Sequence, residues 1–343
     1  MWAVVDASPP PGSATADAPG DAIVVEDLRK TYPSGTEAVK GVSFRVTRGE
    51  IYGIVGPNGA GKSTTIGVLG TLVKPTSGRA LVDGVDVARD PMTVRKRIGF
   101  AMQEAGVDDL ATGREFLILQ GRLYGLSKDL AGKRADQLLR LFELEAAGDQ
   151  RIKAYSGGMK RRIDLAAALI HLPKILFLDE PTEGLDPRSR QALWATLKRL
   201  RERLHATVLL STHYMEEADR LCDRIAIIDQ GRIVAEDTPA KLKAGMGGQS
   251  IVLDYGSATD ATTPLRAERA LAGLAQRIQR SGTEVVVYVA EPAEATPRIL
   301  KALDKAGVPP ASLRIQHPTL DDVYLKYTGR KLEQAEEKTA VKA

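Results

Sequence analysis

The chain has 343 residues, 43% of them apolar, with 48 Lys and Arg against 44 Asp and Glu and a formal net charge of +4. That composition is expected of a soluble globular protein of two domains, and charge-free stretches such as 204–215 stop well short of the ~18 apolar residues that span a bilayer. A single cysteine, Cys222, excludes an intrachain disulfide, and His171, His205, His213 and His317 show no zinc-ligand spacing. Charge is spread rather than striped: residues 22–248 carry 35 bases against 29 acids, and 249–328 carry nine of each. This is not the concentrated basic footprint of a nucleic-acid binder. Two denser patches, Arg95, Lys96, Arg97 and Lys160, Arg161, Arg162, read as solvated faces or docking rims.

In chain order, residues 1–21 are dominated by Pro, Gly, Ala, Ser and Asp and are expected to form a disordered leader. They lack the basic and apolar regions of a secretory signal, so a cytoplasmic location is expected. β-rich runs follow (IVVEDL, VSFRV, IYGIVG, RALVDG, IGFAM), then helical stretches from about 113 to 147. A second alternation places strands at 174–180 and 206–213, helices at 187–204 and 214–221, and paired strands over 224–236. Buried Ile/Leu/Val strands alternating with helices predict a mainly parallel α/β core over 22–246. Beyond Met246-Gly247-Gly248 a smaller α/β unit is predicted over 249–328, with helices at 264–280, 295–306 and 320–328, and 329–343 is expected to be a flexible tail.

Residues 56–64 read GPNGAGKST between an apolar strand and a helical run, the context a phosphate-binding loop needs. Gly56, Gly59 and Gly61 let the backbone turn its N–H groups inward, with Pro57, Asn58 and Ala60 completing the loop. Lys62 is expected at the β and γ phosphates, Ser63 at Mg²⁺, and Thr64 as a further hydroxyl. The alternative is a glycine-rich turn that binds nothing. KILFLDEPT (174–182) then delivers two carboxylates at the end of a buried strand, where doubly wound sheets bind ligands. Asp179 suits the Mg²⁺ shell and Glu180 the attacking water. Alone, such a pair is more often a strand end facing solvent or a helix cap.

Because YSGGMKRRIDLAAALIHLPKILFLDEPTEGLDP (155–187) sets an SGG helix start just upstream of that pair, the sequence resembles the ATP-binding cassette (ABC) ATPases. Tyr155 and Met159 stand where the family commonly has Leu and Gln. The resemblance implies a P-loop cassette with a mainly parallel core sheet, an antiparallel β subdomain and a helical signature subdomain. A small C-terminal α/β accessory or dimerisation domain follows, similar to that of the daunorubicin/doxorubicin exporter ATPases. It implies ATP and Mg²⁺ as ligands and a cassette–cassette dimer. Ser156, Gly157, Gly158 and Asp186 of one subunit would close over the other's nucleotide, although Asp186 before Pro187 also reads as a helix N-cap.

By the same resemblance, Gln103 would lie near Mg²⁺ and water, His213 at the γ-phosphate and Tyr32 on adenine. Each also has a plainer reading, as a loop amide, a hydrogen-bonded histidine and a half-buried strand tyrosine. The last helix, 320–328, reads as an amphipathic segment that caps the small domain or meets a second subunit. The implied function is ATP hydrolysis for drug export, at the cytoplasmic face of the membrane, on a separate integral-membrane permease. Rival readings are an importer, a lipid or polysaccharide exporter, and a soluble cassette ATPase acting on ribosomes or DNA.

Overall fold

The computed structural model describes residues 20–246, 249–256, 262–316 and 318–329. The expected leader, apart from Gly20 and Asp21, and the expected tail beyond Gly329 lie outside the described residues, as does His317. The chain opens with β1 (Asp21–Thr31) and β2 (Glu37–Thr47), then β3 (Ile51–Val55) and α1 (Lys62–Leu69). Next come β4 (Ser77–Val82), β5 (Val85–Asp86), α2 (Pro91–Arg97) and β6 (Ile98–Ala101). Asp21, the last residue of the expected leader, is already the first residue of β1 and pairs with Thr47.

The helical stretch resolves into α3 (Gly113–Leu123), α4 (Lys128–Leu141), two short 3-10 turns and α5 (Gly157–Ala168). Its starts are fixed locally. Thr112 and Glu115 form a reciprocal capping box for α3, and the Ser127 hydroxyl accepts from Leu130 N at the head of α4. The second alternation gives β7 (Ile175–Asp179), α6 (Pro187–Leu204), β8 (Thr207–Thr212), α7 (Met215–Leu221), β9 (Arg224–Asp229), β10 (Arg232–Asp237) and α8 (Pro239–Ala244).

Among the described residues, the central sheet has six strands in the order β10-β9-β3-β8-β7-β6. All neighbours in it are parallel except β9 and β10. Every residue of β3, β7 and β8 is buried, which is why these strands read as unbroken apolar runs instead of alternating ones. The pairings Val55↔Thr212 and Asp179↔Ser211 bring the C-terminal ends of β3, β8 and β7 side by side, where the candidate site forms. An antiparallel sheet, β2-β1-β4-β5, packs against the face of the core sheet that carries Tyr52, Ile54 and Phe177.

The remaining residues form β11 (Gln249–Asp254), α9 (Thr263–Ala270), β12 (Arg277–Ser281), β13 (Glu284–Val289), α10 (Pro292–Lys305), β14 (Ser312–Gln316) and α11 (Leu320–Thr328). The expected helix over 264–280 is corrected: α9 stops at Ala270, Gly273 takes a φ of +88°, and residues 277–281 form an edge strand of the antiparallel sheet β12-β13-β11-β14. Ile251, Leu253, Val285 and Val287 of this sheet bury against α9 and α10 through Ala267, Leu271, Ile299 and Leu303.

Helix α11 packs neither on that small core nor as a free face. Its Leu320, Val323 and Tyr324 enter the core that contains Met215 and Leu221 of α7 and Leu242 of α8. Tyr324 donates its hydroxyl to Asp229 Oδ1 (3.2 Å) and Lys326 Nζ donates to Gly245 O (2.6 Å). Full burial of a large apolar side chain contributes on the order of 1.5–3 kcal/mol, so three such residues make this a firm attachment.

Candidate nucleotide site

The loop after β3 owes its path to positions that tolerate no side chain. A Cβ on Gly56 would lie 2.2 Å from the Ile228 carbonyl oxygen, and one on Gly61 would lie 2.4 Å from the Ala38 carbonyl oxygen. Gly59 and Gly61 also have φ of +77° and +105°, open to glycine at little cost. The loop runs directly into the N-terminus of α1, which sets the positive end of the helix dipole at the loop.

Lys62 is 3% exposed, and its Nζ donates to Gly56 O (2.9 Å) and Pro57 O (3.1 Å) and lies 3.1 Å from Glu180 Oε1. Ser63 Oγ donates to Asp179 Oδ1 (3.0 Å), and the Ser211 hydroxyl bonds the same oxygen. Glu180 leaves β7 with a φ of +46°, and its N–H donates to Ser211 Oγ (3.0 Å). Its other oxygen, Oε2, is 2.9 Å from His213 Nδ1. Burial opposes ionisation of Glu180, but the hydrogen bond from His213 and the Lys62 ammonium outweigh it, and the carboxyl is held below the usual carboxylate range. Buried Lys62 and Glu180, with half-buried His213, thus form one constellation beside the phosphate loop.

The other expected residues fall as follows. The Tyr32 hydroxyl is 3.3 Å from Thr64 Oγ1, which puts the tyrosine beside the start of α1. Gln103, exposed in the loop after β6, donates its amide to Glu183 Oε2 (2.6 Å), and neither Ser63 nor Asp179 is among its hydrogen-bond partners. Ser156 caps α5, accepting from Met159 N (3.3 Å), so its hydroxyl oxygen already has a backbone donor rather than standing unengaged. Apart from its two chain neighbours and the backbone of its own helix, no described residue comes within 4 Å of a Cβ built on Gly157, whereas one on Gly158 would meet Ser189 Oγ at 2.7 Å. Asp186 caps α6, accepting from Arg188 N and Ser189 N (3.0 Å each) and from Ser189 Oγ (2.5 Å). The side-chain hydrogen bond from Ser189 is the main reason its carboxyl is held low.

Two residues central to the site carry no motif of their own. Ser211 joins Asp179 to the backbone of Glu180, a role set by the β7–β8 register. Arg161 is not part of a solvated basic face: it is 5% exposed and donates into the backbone around Asp179, Glu180 and Pro181. In the other basic patch, Arg95 bonds Thr71 and Arg97 bonds Asp83. The sequence signal that marks Arg161 is its offset, five residues after the capping Ser156, which puts it about one turn into α5.

A phosphate loop with its lysine and serine after β3, two carboxylates at the end of β7 and a histidine just after β8, the strand between them, define a nucleotide-hydrolysing cassette. The family comparisons agree: residues 39–183 match the family described as ABC transporter, and 238–328 match the ATP-binding protein DrrA1-3-like, C-terminal domain. The chain is 42% identical to the daunorubicin resistance ATP-binding protein DrrA2 of Streptomyces coeruleorubidus, over 94% of this chain and 99% of the relative. It is 44% identical to the daunorubicin/doxorubicin resistance ATP-binding protein DrrA of Streptomyces peucetius, over 91% and 93%. Among solved structures, the ATP-binding cassette MJ0796, dimeric and bound to ADP and Pi, superposes with a TM-score of 0.58 at 31% identity, covering 63% of this chain and 98% of that one. The chain belongs to the ABC transporter ATP-binding proteins and is an ATPase. Among its described residues, no helix is long and apolar enough to cross a membrane.

Proposed function

We propose that this ATPase powers export of drugs or other amphipathic compounds through a separate membrane permease, at the cytoplasmic face of the membrane and as a two-cassette dimer. Support comes from the resistance proteins it resembles over nearly its whole length and from the dimeric cassette with which it superposes. The observation that carries the catalytic part is the position of Glu180, held between Lys62 and His213 at the end of β7.

Ser63 and Asp179 present adjacent hard oxygen donors, the chemistry a magnesium ion requires. They would hold Mg²⁺, which when bound supplies positive charge to the phosphates. The N–H groups of the loop and of α1 bind the phosphate chain, and Tyr32 lies where an adenine could stack. A γ-phosphate that reaches Lys62 competes with Glu180 for its ammonium. The freed carboxylate, ionised and still fastened through His213, then accepts a proton from the attacking water. Gln103 reaches the phosphates only by releasing Glu183. Exposed Ser156, Gly157 and Asp186, with half-buried Gly158, supply the surface that meets the partner's nucleotide.

Glu180→Gln tests the reading. It removes the base but keeps the shape, so turnover should fall at least ~10²-fold, within the range for loss of a general base. ATP binding should persist, and a stable dimer should be trapped on size-exclusion chromatography. Undiminished turnover would refute the assignment.

A further inference from the structure

Arg161 sits within the first two turns of α5, the helix whose N-terminus is Ser156-Gly157-Gly158. Its guanidinium is buried at the junction of three segments distant in sequence. Nε donates to Pro181 O (2.8 Å), and Nη2 donates to Asp179 O (2.9 Å) and Glu180 O (3.2 Å). Nη1 donates to Met102 O, to Gln103 O (3.4 Å) and to Asp164 Oδ2 (3.5 Å). Asp164, one turn further along α5, accepts from Gly106 N (3.2 Å) in the loop after β6.

The site has a reason to need such an anchor. Glu180 has a φ of +46°, in the left-handed region that strains a non-glycine residue. A strained turn persists only where its surroundings fix it. Ser211 holds the N–H side of Glu180, through its Oγ and its carbonyl oxygen. On the other side, three successive carbonyls, those of 179, 180 and 181, converge on one guanidinium. Only arginine offers enough N–H groups in a planar fork for this; the lysine ammonium is a point charge with three.

We propose that Arg161 is a positioning residue that fastens the signature helix to the catalytic turn and to the Gln103 loop of the same chain. The proposal rests on Glu180 being the general base and on the signature meeting the partner's nucleotide. On that basis, the helix that senses one nucleotide is tied directly to the carboxylate that cleaves the other. Closure of the signature over the partner's ATP then transmits to the chain's own Glu180 through a rigid backbone contact.

The experiment uses the full-length chain with Arg161→Lys and Arg161→Gln, measuring kcat and KM for MgATP, the Kd for MgADP and the melting temperature. Lysine keeps the buried positive charge and so preserves the fold if the glutamine variant does not. The expected result is a kcat lowered by about 10²-fold in Arg161→Lys, the loss associated with ~1 Å of misplacement. KM and the MgADP Kd should stay within about threefold of wild type, because none of the hydrogen bonds of Arg161 goes to residues 56–64. A kcat within twofold of wild type in Arg161→Lys overturns the proposal. So does a parallel loss of MgADP affinity, which marks a general scaffold residue. Persistent turnover in Glu180→Gln would instead remove the catalytic reading itself; turnover lost there but intact in Arg161→Lys removes only this inference.

Discussion

The two signature glycines differ in what surrounds them, and that difference separates folding from function. Gly157 is the first residue of α5 and exposed, and beyond its chain neighbours and its own helix backbone no described residue lies within 4 Å of an added Cβ. Gly157→Ala therefore introduces no internal overlap. At a helical, negative-φ position it restricts the unfolded chain, a gain of about 0.4–1 kcal/mol, or a melting temperature raised by about 1–4 °C in a domain of this size.

If the open surface at Gly157 meets the nucleotide of a second subunit, the same methyl stands between the α5 backbone and the phosphate. Displacement by ~1 Å is enough to cost about 10²-fold in turnover. The assay is steady-state ATP hydrolysis beside thermal unfolding, with the ATP-trapped dimer of the Glu180→Gln background as a second readout. The expected pattern is unchanged or raised stability, turnover near background and no trapped dimer. Gly158→Ala is the contrast: its methyl meets Ser189 Oγ at 2.7 Å, so stability and activity should fall together. A Gly157→Ala protein that hydrolyses ATP at the wild-type rate would show that nothing approaches this backbone, and the trans contact would have to be abandoned.

Gly61→Ala should cost about 2–5 kcal/mol, from placing a non-glycine residue at positive φ and from overpacking against the Ala38 carbonyl, and it should abolish nucleotide binding. Wild-type melting with wild-type affinity for a fluorescent nucleotide would contradict the loop geometry. His171 tests the pH dependence. Burial lowers its pKa from 6.5 to about 4, against the opposing hydrogen bond to Ile98 O. The unfolded chain therefore binds more protons between those values, and this histidine's contribution makes stability rise with pH across about 4 to 6.5, by about 3 kcal/mol. His171→Phe keeps a ring for the stack on Tyr124 and should remove that slope in urea unfolding at pH 4.5 and 7; an unchanged slope would place the titration elsewhere.

The core strands were readable because burial on both faces leaves no polar alternation in IYGIV, ILFLD or TVLLST. The phosphate loop was readable because its glycines are imposed by two carbonyls packed against it. β12 was not. As an edge strand, RIQRS exposes both of its arginines and has no apolar run, although Gly273 and Gly282 bracketed a break in the expected helix. Arg161 was hidden for a different reason. Its acceptors are main-chain carbonyls, which every residue possesses, contributed by loops some 20 and 60 positions away. A basic triplet has the same spelling whether its middle member faces water or the turn at Glu180. Ser211 was legible only after β7 and β8 were placed in register.

The docking of α11 changes what the small sheet is. Leu242 of α8 and Tyr324 of α11 belong to one core, yet residues 249–316 lie between them in sequence. In chain topology the small unit is an insertion into the cassette, looped out between two pieces of a single interior. The last turns of the cassette's own packing therefore cannot close until α11, some 80 residues beyond α8, has been synthesised. A chain that stops after β14 would leave an apolar groove where α11 belongs.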